Sequence, residues 1–112
     1  MTDKEKKARN KKERKQMVLV GQKVLEQIKN IPVTEHKYVS SYLADAGSYL
    51  ESGAPGRKRE FRLAGIQGGV SKAELAVLHA EGEGLLIALK CYKDCKSLYE
   101  QHIADDPIFP HG

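Results

Sequence analysis

The sequence predicts an all-α fold, a small bundle of three or four helices with a basic N-terminal helical arm and a short irregular or strand-like insertion near residues 55–69. Three observations point there. Apolar residues recur at spacings of three, four and seven over most of the 112 residues, as they do when each helix buries one stripe. Capping residues stand at the heads of the periodic stretches. Turn residues, Asn30-Ile31-Pro32 and Ser52-Gly53-Ala54-Pro55-Gly56, separate them. At 12.5 kDa the chain holds one core, and 40% hydrophobic against 30% charged residues suits a soluble domain of modest stability. Self-association as a homodimer would add to that stability.

The first helix is expected almost from the start, because Thr2-Asp3-Lys4-Glu5 has the form of a capping box. Ala8 is then the only apolar residue from position 3 to 16. Lys4, Lys6, Lys7, Arg9, Lys11, Lys12, Arg14 and Lys15 surround the helix axis, interrupted by Glu5 and Glu13. From Met17 the pattern changes to Met17, Val20, Val24, Ile28 and Ile31, with Leu25 beside them, which is a core-facing stripe. Pro32 biases Ile31 out of helical dihedrals and ends the run. A basic region leading into an apolar repeat resembles the leucine-zipper DNA readers. The repeat here lasts about two heptads, where a zipper needs about three or four.

Thr34 is the expected cap of a second helix with the stripe Tyr38, Val39, Tyr42, Leu43, Ala46, Tyr49 and Leu50, closed by Gly53 and Pro55. Three tyrosines on one stripe suit either helix packing or a stacking platform for bases. In the aperiodic stretch that follows, Arg57, Lys58, Arg59 and Arg62 crowd around Phe61, so guanidinium groups could clamp phosphate while the ring stacks. The alternative is a loop anchored in the core by Phe61 and Leu63. The longest helical stretch is expected over Ser71–Ile103, opened by a capping box at Ser71-Lys72-Ala73-Glu74, with Leu75, Leu78, Leu85, Leu89, Tyr92, Tyr99 and Ile103 as its stripe. Gly68-Gly69 would then offer free amides at its N-terminus, an arrangement that suits phosphate. Gly82 and Gly84 either break this helix into two or let a neighbour approach closely.

Charge is divided unevenly along the chain. Residues 1–16 hold eight Lys and Arg against three acids, net +5, and residues 17–112 hold eleven against twelve, net −1. The expected organisation is therefore a basic arm at 1–16 continuous with the first helix, a helical domain at 17–104 and an extended tail at 105–112. Such an arm lacks the wide apolar face that a membrane-surface helix needs, and no run approaches the roughly 18 apolar residues of a membrane span. Met17-Val18-Leu19-Val20 is too short for a secretory h-region of about 7–15 residues, so the expected location is cytoplasmic, or nuclear in a eukaryote.

Cys91 and Cys95 stand at i and i+4, about 5–6 Å apart at Cβ. A disulfide wants about 3.8 Å, so two buried free thiols are expected. His102 on the same stripe completes no common zinc pattern, and neither metal nor cofactor is expected. No nucleophile–base motif, carboxylate pair or phosphate-binding glycine loop is present in the sequence. The function expected is a non-catalytic binding protein that contacts nucleic acid (DNA or RNA) or a ribonucleoprotein through Lys4, Lys6, Lys7, Arg9, Lys11, Lys12, Arg14 and Lys15, helped by Arg57, Lys58, Arg59 and Arg62. Six lysines to two arginines in the arm suit phosphate attraction better than base reading. The alternative is a protein-interaction adaptor or inhibitor acting through its helical faces, like the accessory proteins of phages and mobile elements.

Overall fold

A computed structural model describes residues 2–34, 37–56 and 58–104. Four helices follow one another in the order α1 (Asp3–Gln27), α2 (Lys37–Gly53), α3 (Arg59–His79) and α4 (Gly82–His102). They pack antiparallel in sequence order. Met17 of α1 meets Gly53 and Gly65, Ala46 of α2 lies against Gly69, and Tyr42 stacks on His79 at 5.5 Å. None of the four is long and apolar enough to cross a membrane.

Local chemistry sets most of the helix ends. The Thr2 hydroxyl accepts the Glu5 amide at 3.2 Å and donates to the Glu5 carboxylate at 3.1 Å, satisfying one of the unpaired donors of the first turn. After Gln27 the chain tightens into a 3₁₀ turn, Ile28–Asn30, and leaves it at Ile31, whose ψ of 126° is what a following proline imposes. The expected cap at Thr34 precedes residues 35 and 36, which lie outside the described residues, as do Arg57 and the tail 105–112. Between α3 and α4, Ala80 and Glu81 are extended and Gly82 has φ +55°, a dihedral that costs an L side chain about 1–2 kcal/mol.

Two expectations are corrected and one open alternative is decided. Among the described residues there is no strand: Phe61 and Leu63 lie in the first turns of α3, and only a short connection separates it from α2. Ser71 does not open a helix but stands inside α3, so the amides of Gly68 and Gly69 are spent within that helix. Of the two readings of Gly82 and Gly84, the break is the one seen: the stretch Ser71–Ile103 is divided between two helices that part at Ala80–Gly82. The reason lies in the packing. Gly65, Gly69, Ala73 and Ala76 lie on the buried side of α3 together with Leu63, Ile66 and Val70, and a β-carbon on Gly65 would stand 2.9 Å from the Tyr49 carbonyl oxygen. Interior glycines each cost a helix about 1 kcal/mol relative to Ala; here they let α2 and α3 approach at backbone distance. α4 buries a similar face, Gly84, Ala88, Cys91, Cys95 and Leu98. Both cysteines are free and buried, and burial pushes their thiols up to about 11 at Cys91 and about 12 at Cys95.

The core joins these faces to Met17 and Val24 of α1 and to Val39, Leu43, Ala46 and Leu50 of α2, with Ile103 closing one end. Of the expected α3–α4 stripe, Leu85, Tyr92 and Tyr99 are partly buried against the core, whereas Leu78 is 69% exposed.

Candidate nucleic-acid interface

α1 is 25 residues long against 17 in α2, and its first part extends past the bundle. Every residue from Thr2 to Ala8 is exposed, and the molecule measures 51 × 25 × 17 Å along its principal axes. Lys4, Lys6, Lys7, Lys11, Lys12 and Lys15 of the expected arm are exposed, and Arg9 and Arg14 are half-buried.

At the base of the arm, Glu13 is wholly buried. Its carboxylate accepts from Arg62 Nε at 2.8 Å and from Arg59 Nε at 3.3 Å, and it lies 3.6 Å from His102 Nδ1. Arg62, also wholly buried, spends its remaining nitrogens on the Gly56 carbonyl at 2.9 Å and the Asn10 side-chain oxygen at 2.8 Å. Arg59 donates to the carbonyl of His102 at 3.0 Å. Arg9 donates to the same Asn10 oxygen at 3.1 Å. The imidazole Nε2 of His102 lies 2.6 Å from Gln16 Oε1. Gln16 in turn donates to Gln101 at 3.1 Å, and Gln101 to Ser97 at 3.0 Å.

Among the described residues no buried side-chain nitrogen or oxygen lacks a partner, so the network is satisfied. It ties α1 to the start of α3 and the end of α4, and it fixes which way the arm leaves the bundle. Burial holds the His102 pKa below its usual 6.5, opposed by the Glu13 charge and reinforced by Arg59, Lys12 and Arg9.

The expected site therefore divides. The arm lysines face solvent, while Arg59 and Arg62 turn inward to Glu13. Lys58 remains exposed, and Phe61 beside it is 61% exposed rather than anchored in the core as Leu63 is. Arg57 lies outside the described residues. Sequence reasoning treated Glu13 as a mere interruption in a basic run. Its signal was position: it precedes Met17 by four residues, on the face of α1 that the bundle covers. Of the α2 tyrosines, Tyr42 packs against His79, while Tyr38 and Tyr49 stay about half-exposed. Among the described residues no three His, Cys, Asp or Glu side chains gather as a metal site would require. Comparison with family models, with curated proteins and with solved structures gives no match.

Proposed function

We propose that this chain is a small non-catalytic binding protein whose basic arm contacts nucleic acid or a ribonucleoprotein in a regulatory or accessory role. The observation that carries this reading is the exposure of Thr2 to Ala8 all round the helix, with Lys4, Lys6 and Lys7 among them and Lys11, Lys12 and Lys15 exposed behind. A cationic helix clear of the body of the protein presents its charges to phosphates without displacing any core contact. The loop contributes less than its composition suggests, because Arg59 and Arg62 are engaged by Glu13.

The test is binding to duplex DNA and to structured RNA across a salt series, with the full chain and with a variant in which the exposed Lys4, Lys6, Lys7, Lys11, Lys12 and Lys15 are all replaced by Gln. Affinity should fall with salt at about −0.9 in log–log slope per phosphate contact on DNA. The variant should lose most of both affinity and slope. Equal binding by the two proteins would remove the arm from the site, and no binding by either would end the reading.

A second reading is supported by the opposite end of the bundle, where Val33, Leu78 (69%) and Leu86 (68%) are exposed around the α1–α2 and α3–α4 connections. Exposed apolar side chains gathered at one end suit a protein partner. On that reading the molecule is an adaptor, and binding to its partner survives neutralisation of the arm.

A further inference from the structure

We propose that the ligand of the arm is duplex DNA, with α1 lying as a rigid helix in the major groove. This rests on the nucleic-acid reading above and names its substrate. Glu13 and Met17, both wholly buried, fix the inward face of α1. At about 100° per residue, Lys4, Ala8, Lys11 and Lys15 fall on the face pointing away from the bundle. Lys12 lies to one side of that line, with Lys7 and Arg14 to the other. The cations of the arm are thus sorted into a central line, two flanks and an underside; Lys6 falls on the underside, in line with the Glu13–Arg62–Asn10 contacts but on the exposed turn beyond them. The outward face stays open further along α1, where Leu19, Gln22, Lys23 and Glu26 are exposed. The bundle therefore sits behind the helix and does not obstruct a groove in front of it.

Groove width selects the duplex. An α-helix with its side chains is about 10–12 Å across, which matches the roughly 12 Å major groove of B-form DNA. The major groove of A-form RNA is deep and too narrow for it. Single strands are bound by stacking bases on aromatic rings, and residues 2–16 contain none. Lys4 to Lys15 spans about 16 Å of helix, or about five base pairs, with a flank toward each phosphate strand. Lysine charges without bidentate arginines make this contact tolerant of sequence.

The experiment compares a DNA duplex, an RNA duplex of the same sequence and the single DNA strand as probes of the full-length protein by fluorescence anisotropy at one moderate salt concentration. Guanine N7 protection from dimethyl sulfate is measured on the DNA duplex. The expected result is at least about tenfold tighter binding to DNA duplex than to either other probe, with N7 reactivity lowered at guanines along the whole duplex as occupancy rises, because a sequence-tolerant contact has no fixed register. A Lys4→Gln/Lys11→Gln/Lys15→Gln variant should lose the protection while keeping the thermal midpoint of the parent, since all three side chains are exposed. Equal or tighter binding to RNA, or tight DNA binding with N7 fully reactive, overturns the groove assignment and leaves the arm as a general phosphate contact. No binding to any probe overturns the nucleic-acid reading itself.

Discussion

Glu13 and Arg62, 49 positions apart in the sequence, meet at 2.8 Å with both side chains wholly removed from solvent. Two charges inside a small helical bundle are stabilising only as a set, because desolvation of each is offset by the other and by Asn10, Gly56 and Arg59. Removing one should be far worse than removing both. Glu13→Leu strands a buried guanidinium and is expected to cost about 3–5 kcal/mol. The pair Glu13→Leu/Arg62→Met, apolar and of similar volume, is expected to recover most of that loss. Urea unfolding of Glu13→Leu, Arg62→Met and the double variant tests this, and additive losses would show that the ion pair is not the coupled unit described.

The same network determines where the arm can be cut. Residues 2–8 make no buried contact, so deleting them should leave stability within about 0.5 kcal/mol of the parent. Deleting residues 1–16 removes Asn10 and Glu13 and leaves Arg62 buried without its carboxylate. That protein is expected to unfold at markedly lower temperature, by roughly 10 °C or more for a loss of about 3 kcal/mol in a domain of this size. Thermal melts of the two truncations separate a loss of binding residues from a loss of fold. Similar midpoints for both would mean that Glu13 does not anchor the bundle.

How much of this was legible depended on side-chain size and sequence distance. α1 and α2 could be read because Met17, Val24, Val39, Leu43 and Leu50 are large, periodic and bounded by Pro32 and Pro55. The register of α3 and α4 is harder to read because the large buried residues Leu63, Ile66, Val70 and Leu98 are few and are joined on the contact faces by Gly65, Gly69, Ala73, Ala76, Gly84, Ala88, Cys91 and Cys95, which a count of large apolar residues passes over. The Leu75, Leu78, Leu85, Leu89 stripe lies beside the true face. Exposed lysines could be read directly from charge. The inward roles of Arg59 and Arg62 could not, since they depend on a carboxylate supplied by another helix.

The close helix crossings give the glycines unequal roles. A β-carbon on Gly47 would stand 2.5 Å from Leu25 Cγ and 3.1 Å from the Gly21 carbonyl oxygen, and one on Gly65 would meet the Tyr49 carbonyl oxygen at 2.9 Å and Gly53 Cα at 3.3 Å. Backbone neighbours cannot move aside, so Gly65→Ala is expected to destabilise by about 1–3 kcal/mol despite the better helix propensity of Ala. At Gly68 the nearest atoms belong to the Tyr49 ring, at 3.1 Å, and that residue is about half-exposed and free to shift. There the gain in helix propensity, up to about 1 kcal/mol, should roughly cancel the crowding. Midpoints of chemical unfolding for Gly65→Ala and Gly68→Ala give the comparison, and equal losses would contradict the crossing geometry.

His102 makes the network sensitive to pH in a direction that can be stated. Its folded pKa lies below the usual 6.5, chiefly because burial disfavours the imidazolium, while in the unfolded chain it titrates near about 6.5. Below that value the unfolded chain takes up a proton that the folded protein resists, so unfolding gains. The His102 contribution is therefore complete above the unfolded pKa and is lost as pH falls from there through the folded pKa. Protonation would place a cation beside Arg59, Lys12 and Arg9, with Glu13 already shared between two guanidinium groups. Urea midpoints measured from about pH 7.5 down to about pH 5 should fall for the parent more steeply than for His102→Gln, which keeps a hydrogen-bonding side chain without the titration. A parent curve parallel to that of the variant would show that His102 protonates as easily in the folded protein as in the unfolded chain.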